Sequence, residues 1–479
     1  METIGLFGFN KQKWISVNRT LKFYTDVLRS YFSLSYLSET DQDWHTRSYA
    51  AVINVNSSKC WDIKPHPDFP LIFVMNGGLI LDQTFLRRHL SNLETADVLI
   101  VNCSSDVSIL RRILTVLPRI CLLPLPVDLK IFKPLQKDKC RSYLPVSKSD
   151  YTIGFIGRLL PQKNLHQFLR LLFKLKKAVY PRRINAIVVG SFWIDYPILP
   201  YVTESYPDNI KILIHKLNLS EDVCFISSNL DDDDLAIIYN SLDLLIHPTH
   251  SIDENFGYVP VEAMACGIPV IGSAYGGLKD YVIHGETGYL IPTWATSAGI
   301  RMEVEYGFMK SLSLLRNKKL WLKLSHACIH RAHNYHTFSE CSKILINSIK
   351  GAIRHRSTGR YEDIKISDFG YKISEEKYLP DTSKSWEDYH AVVSNYASNT
   401  VPIPHLSSFV RLYGPVTKKD EKYVLNDDAW PAEYPINMVP EIVLERCTKN
   451  TLVCDLINTG SISLRHIAKL VEVGLLICS

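Results

Sequence analysis

No Cys-x-x-Cys pair occurs anywhere in the sequence, and its 11 cysteines are odd in number and scattered. A disulfide framework is thereby excluded, and the thiols, Cys266 among them, are expected to be reduced and mostly buried, as in a cytoplasmic protein. Long apolar runs are missing too, since none reaches the roughly 18–20 residues that span a bilayer. The nearest stretch, Ile109 to Phe132, is broken by Arg111, Arg112, Arg119 and three prolines. The opening METIGLFGFNKQKW has no basic start, apolar stretch or small-residue cleavage site, so no secretory leader is read. Charge of one sign is also scarce. With 54 Lys and Arg against 49 Asp and Glu, the net charge is +5 and the pI about 8.5, far from the basic footprint of a nucleic-acid binder. No internal repeat or low-complexity tract is present, so the chain is not a repeat array.

What is present is an ordinary globular composition, 46% hydrophobic and 22% charged, over 479 residues, enough for two or three domains. Short apolar runs alternate with helical patterns through the first three hundred and fifty or so residues. The strands expected are Ile4–Phe7, Ala50–Val55, Leu71–Met75, Val98–Asn102, Thr152–Ile156, Ala186–Val189, Val223–Ile226, Leu244–His247 and Val270–Gly272. Between Asn164 and Lys176, Leu165, Phe168, Leu169, Leu172 and Leu175 recur at helical spacing. Strands alternating with helices predict parallel sheets covered on both faces. The series restarts at Thr152, after a polar, lysine-rich stretch from Lys133 to Asp150 that reads as a linker.

Chemistry concentrates in LDLLIHPTHSIDENFGYVPVEAMACGIPVIGSAYGGLKDYVIHGETGYLIP, residues 242–292. A strand delivers a loop holding Glu254, Asn255, Phe256 and Gly257, and a helix carrying Glu262 follows. Loops after the carboxyl ends of strands line the ligand crevice of such sheets, and a helix N-terminus there favours an anion. Carboxylates beside a phosphate suit sugar or ribose hydroxyls, which need acceptors. A second segment, IGFIGRLLPQKN at 153–164, places Arg158 and Lys163 just after a buried strand. A planar guanidinium and a point charge can neutralise a diphosphate leaving group.

ENFGYVPVE has the E-x7-E spacing of the family 4 retaining glycosyltransferases of the GT-B fold, and the chain resembles that family. IGRLLPQKN, VVGS, VCFISSNLDDDDLAIIYNSLDLLIHPT and AMACGIPVIGSAYGGLKDYVIHGETGYLI fit the same frame. ADVLIVNCSSDVSILRRIL and PVDLKIFKP fit it more loosely, and HNYHTFSECSKILINSIK resembles the family's terminal helix. The likeness covers about residues 1–350 and is strongest over 150–295. It implies an α/β GT-B architecture, two Rossmann-like domains facing a cleft. Residues 1–145 would form the acceptor-side domain, 146–333 the donor domain and 334–353 a crossover helix, with an appended module over 354–479. The resemblance makes Arg158 and Lys163 ligands of the donor diphosphate. Glu254 would touch the donor sugar, with Phe256, Gly257 and Tyr258 nearby, and Glu262 would hold the ribose. Gly8 would face the diphosphate from the opposite domain. The implied reaction transfers a sugar from a nucleotide-diphosphate sugar to an acceptor hydroxyl, with retention and without a bound metal or cofactor.

Two positions depart from the family. PLIFVMNGG carries Asn76 where many members have a histidine facing the donor sugar, and FGFNKQKW lacks the usual adjacent glycine pair. Other residues have plainer readings. Asp231–Asp234 precede an apolar helix and are expected to cap it. His247 and His250 are assigned to a strand end and loop. The tail from Pro435 to Ser479 resembles a small winged-helix unit. From Ile436 on it balances four basic residues against four acidic ones, which argues against DNA binding. The tail is expected to serve packing, assembly or acceptor choice and to leave donor binding to the rest. Arg87–Arg88 and Arg111–Arg112 would give at most weak attraction to an anionic membrane surface. The alternatives are a catalytically silent relative that binds a partner, and a sugar phosphorylase or sugar-phosphate synthase on the same fold. A phosphorylase would carry a cofactor-lysine sequence, which is absent. A silent relative would have lost Arg158, Lys163, Glu254 or Glu262, and all four are present.

Overall fold

The computed structural model describes residues 1–11, 15–38, 40–55, 65–66, 68–78, 93–114, 118–193, 204–226, 230–358, 390 and 393–479. Arg87 and Arg88 lie outside these. The first lobe is built on β1 (Thr3–Phe7), β2 (Ser33–Leu37), β3 (Ala51–Val55), β4 (Leu71–Val74), β5 (Val98–Val101) and β6 (Arg119–Leu122). They form a parallel sheet in the order β2-β1-β3-β4-β5-β6. Strands β3, β4 and β5 are buried at every position, as unbroken apolar runs must be when both faces are covered. Helices α1 (Ile15–Arg29) and α2 (Ser104–Ile113) belong to this lobe.

A short helix α3 (Lys137–Arg141) leads into the second sheet. Its strands are β7 (Tyr151–Ile156), β8 (Ile184–Val189), β9 (Val223–Ile226), β10 (Leu244–His247), β11 (Val270–Ser273) and β12 (Gly288–Ile291). The order is β12-β11-β10-β7-β8-β9, again parallel. Around it lie α4 (Leu165–Val179), α5 (Tyr206–Lys216), α6 (Asp232–Ser241), α7 (Tyr258–Ala265), α8 (Leu278–Tyr281), α9 (Val304–Arg316) and α10 (Lys318–Tyr335). Leu165, Phe168, Leu169, Leu172 and Leu175 of α4 are each 0% exposed. At roughly 1.5–3 kcal/mol per buried side chain, that stripe fixes α4 on the sheet.

Helix α11 (Phe338–Thr358) returns to the first lobe, where the Phe338 ring packs edge-on against Phe23 of α1 at 5.5 Å. Two of the chain's crossings between the lobes run side by side, since the Val127 amide donates to the His336 carbonyl at 3.0 Å.

The C-terminal unit is mixed. Strands β15 (Phe409–Leu412), β19 (Thr451–Leu452) and β20 (Leu476–Cys478) form one antiparallel sheet, and β16 (Val416–Lys419), β17 (Lys422–Leu425) and β18 (Ala432–Pro435) another. Helices α12 (Glu441–Arg446), α13 (Val453–Ile457) and α14 (Leu464–Glu472) accompany them. This unit is not freestanding. A hairpin of the second lobe, β13 (Thr293–Thr296) and β14 (Gly299–Met302), puts Trp294 into the same apolar cluster as Val410, Leu425, Leu470 and Leu476. Buried Arg301 of β14 donates to the Gly474 carbonyl at 2.8 Å and the Trp430 carbonyl at 3.3 Å. No described helix is long and apolar enough to cross a membrane.

Candidate functional site

In the second sheet the chain runs outward from β7 in both directions, so β7 and β10 are neighbours whose following loops diverge. Such a switch point opens a crevice at the strands' carboxyl ends. Gly157 and Arg158 follow β7, and the 248–257 loop follows β10. Asn164, in the left-handed conformation (φ 62°) that asparagine tolerates, ties the two loops together by donating its amide to the Pro248 carbonyl at 2.7 Å.

The crevice brings together two cations and two carboxylates. Arg158 donates to Asp253 at 2.7 Å, and its guanidinium lies 5.0 Å from the Trp193 ring centroid. Lys163, only 8% exposed, donates to Glu254, whose same oxygen accepts from Thr249 at 3.2 Å. Burial alone would raise the Glu254 carboxyl. The Lys163 ammonium and the His247 imidazole, 3.8 Å away, outweigh it and hold Glu254 below the usual carboxylate range. Asp253 is treated alike: burial opposes ionisation, and Arg158 with Lys163 enforces it.

Gly257 (φ +80°) makes the Glu254 position available, because a Cβ there would stand 2.9 Å from the carboxylate. Its neighbour Phe256 donates its amide to the Asn255 side chain at 2.8 Å, and its ring packs against Tyr281 at 4.6 Å. Tyr258 opens α7, with its hydroxyl 3.0 Å from that of Thr20 in the first lobe. Glu262, on α7 and 2% exposed, accepts from Tyr239 at 2.8 Å and from Arg19 of α1 at 2.7 Å. Asp231 accepts from the Asp234 amide at 2.8 Å, a helix cap, while Asp232 pairs with Arg19.

From the first lobe, the Asn76 carbonyl accepts from the Asn255 amide at 3.1 Å. Both amide atoms of the Asn76 side chain are buried and have no partner among the described residues. Gly8 (φ +77°) ends β1 at that sheet's own switch point, where a Cβ would stand 1.7 Å from the Val55 carbonyl oxygen. His250 is structural: its Nδ1 accepts from the Trp430 indole at 2.9 Å, and burial lowers its pKa to about 3, leaving it neutral. Beside the crevice an apolar pocket of about 360 Å³ is lined by Leu159, Gly190, Phe192, Ile210, Phe225 and Ile226.

Residues that the sequence did not single out complete the site. Asp253 stands next to Glu254 in plain view, but nothing local marks it as the partner of Arg158. Tyr396 is less legible still. The segment from Val393 to Asn399 lies along the second lobe, with the Gly276 amide donating to the Tyr396 carbonyl at 2.9 Å and the Ser398 amide to Ala274 at 3.1 Å. The Tyr396 hydroxyl then donates to Asp106 of the first lobe, and Arg112 of α2 donates to Asn395.

Among solved structures, the chain resembles sucrose-phosphate synthase from Thermosynechococcus elongatus, with a TM-score of 0.58 at 17% identity, covering 74% of this chain and 100% of that one. It also resembles Anabaena HepE in complex with UDP and glucose, with a TM-score of 0.54 at 16% identity, covering 73% and 100%. The fold is that of the GT-B glycosyltransferases. Residues 136–299 match the family described as glycosyl transferases group 1. A curated relative, D-inositol 3-phosphate glycosyltransferase of Mycobacterium marinum, is 32% identical over 200 residues, 42% of this chain and 40% of that protein. The chain thus spans about two-fifths of the length of the curated relatives it matches, and the 136–299 stretch that matches the family includes the β7 and β10 loops.

Proposed function

We propose that this GT-B protein is a cytoplasmic, family 4 retaining glycosyltransferase that moves a sugar from a nucleotide-diphosphate sugar to an acceptor hydroxyl. The observation that carries the reading is the convergence of Arg158 and Lys163 with Glu254 at the β7/β10 switch point, with Glu262 one helix further on. HepE, on the same fold, has been solved in complex with UDP, which supports a nucleotide donor. In this reading the apolar pocket beside β8 and β9 takes the nucleobase and Glu262 the ribose hydroxyls. The diphosphate displaces Asp253 from Arg158 and lies against Lys163. As the bond from the anomeric carbon to the phosphate oxygen breaks, negative charge grows on the diphosphate, and these two cations stabilise it without reorganising. Glu254 accepts from sugar hydroxyls, and the buried, unpartnered Asn76 amide gives the sugar both a donor and an acceptor. The departing phosphate oxygen takes the acceptor's proton while the acceptor oxygen bonds to the same face of the sugar. The chain's own cations supply the charge that a metal would otherwise bring.

The test is initial-rate kinetics after a thermal-shift screen of nucleotide-diphosphate sugars has found the donor. Arg158→Ala and Lys163→Ala should each lower kcat by roughly 10²-fold or more, the scale for losing one preorganised contact. Glu262→Gln should mainly raise the donor KM, since the ribose is unchanged in the reaction. Folded Arg158→Ala and Lys163→Ala enzymes with wild-type turnover would show that the diphosphate site is misplaced.

A further inference from the structure

Glu262 is a buried carboxylate whose charge is balanced from the other lobe. Arg19 projects from α1, and its guanidinium forks between two carboxylates of the second lobe, Glu262 at 2.7 Å and Asp232 on α6. On the far side of Glu262 the Tyr239 hydroxyl donates to the other oxygen at 2.8 Å. A carboxylate offers about four lone-pair positions. Two are filled here by donors from different elements, and two stay open.

We propose that Arg19 is a positioning residue for the donor nucleotide: from the opposite lobe it fixes the Glu262 carboxylate so that the two remaining acceptor positions serve a ribose diol. The inference rests on the reading of Glu262 as the ribose ligand and adds what that reading leaves out, namely the source of the countercharge. Among the described residues, no other cation faces Glu262. The groups that face it are Tyr239 and Asp232 from α6, Tyr258 and Cys266 of its own helix, and Arg19, so Arg19 is the one cation among them. Burial pushes the Glu262 carboxyl up, against the pull of Arg19 and the Tyr239 hydroxyl. Without Arg19 a buried carboxylate loses its partner and takes up a proton instead. A protonated carboxyl spends one oxygen as a donor and can no longer accept both hydroxyls of a diol. A bare structural ion pair at this depth would contribute little over a packed apolar pair. The geometry instead makes lobe closure and ribose binding depend on one guanidinium: Arg19 reaches Glu262 only while α1 lies against α7, the approach also marked by the Thr20 and Tyr258 hydroxyls at 3.0 Å.

The experiment titrates the full-length protein calorimetrically with UDP, GDP or ADP, whichever the wild type binds, from about pH 5.5 to about pH 8.5, a window spanning the raised-carboxylate range. Wild type, Arg19→Met, Arg19→Gln, Arg19→Lys and Glu262→Gln are compared, with thermal melts to confirm folding. Arg19→Met and Arg19→Gln should bind on the order of tenfold more weakly or worse. Their deficit should grow as the pH falls, because acidification completes the protonation of Glu262. Arg19→Lys should restore most of the affinity and the wild-type pH profile, and kcat at saturating donor should change little in all three. If Glu262→Gln weakens binding while Arg19→Met and Arg19→Gln match the wild type at every pH, Arg19 has no such role and the inference falls alone. If the deficit is the same at every pH and lysine does not rescue it, Arg19 acts by packing and the inference falls as well. A wild type that binds no nucleoside diphosphate would overturn the proposed function and this inference together.

Discussion

His250 sits between the crevice and the C-terminal unit as a neutral imidazole, and that sets a pH dependence. In the unfolded chain a histidine takes up a proton near pH 6.5. In the fold, burial holds His250 down to about 3, and His336, buried beside the lobe crossings, down to about 4. Below about pH 6.5 the unfolded state therefore binds more protons than the native one, so stability is full above that value and declines as the pH falls toward the folded values. Each such group contributes a slope of at most ~1.4 kcal/mol per pH unit. Melting temperature should thus fall between about pH 6.5 and about pH 4.5. His250→Asn, which still offers an oxygen to the Trp430 indole, should flatten that fall by one group's share. A variant melting curve parallel to wild type across the window would show that His250 charges freely in the fold.

At the scale of elements, the Gly276–Gly277 turn holds the ENFG loop in place. A Cβ on Gly277 would stand 1.8 Å from the Asn255 carbonyl oxygen and 2.9 Å from that of Phe256, both backbone atoms that cannot swing aside. Gly277→Ala should therefore shift the loop carrying Glu254 and Asn255. The expected effects are a loss of ~1–3 kcal/mol by urea melt and weakened nucleotide binding. An unchanged urea midpoint with intact binding would mean that the loop yields freely. The sequence made this loop legible because glycines and a carboxylate sit together after an apolar strand. It revealed the central strands for a similar reason, since AVINV, LIFV and VLIV are buried on both faces. Of the outer strands, β9 was expected where it lies, and the other three were missed. β2, β6 and β12 expose part of each strand, and β16 is almost wholly exposed. Arg19 could not have been paired with Glu262 by any local pattern, because 243 positions separate them.

For the molecule as a whole, the tail is more than an appendage to two finished lobes. Asp427 accepts from Gln167 at 3.0 Å and meets His166 at 3.2 Å, both at the start of α4, and Trp430 reaches His250. The sequence suggested that donor binding would survive without the tail. The shared core predicts otherwise: a chain shortened after Arg354 uncovers Trp294 and Ile300, now 1% and 0% exposed, and strands the buried polar groups of Arg301. Several such losses at ~1.5–3 kcal/mol each rival a typical total stability of ~5–15 kcal/mol. The shortened chain should aggregate or melt well below the full protein, and a cooperative melt at the wild-type temperature with nucleotide binding retained would contradict this. The Tyr396 segment adds a mechanical consequence. Two of the chain's crossings between the lobes lie together at Val127 and His336, like the spine of a book. Tyr396 on Asp106, with Asn395 on Arg112, is a clasp made elsewhere on the covers by a segment that also bonds to the second lobe. Opening the cleft must undo this clasp as well as the Arg19 and Thr20 contacts across the lobes. The clasp lies outside the 136–299 stretch that matches the glycosyl transferases group 1 family, which lets changes in the tail retime the cleft without altering any group of the proposed donor site.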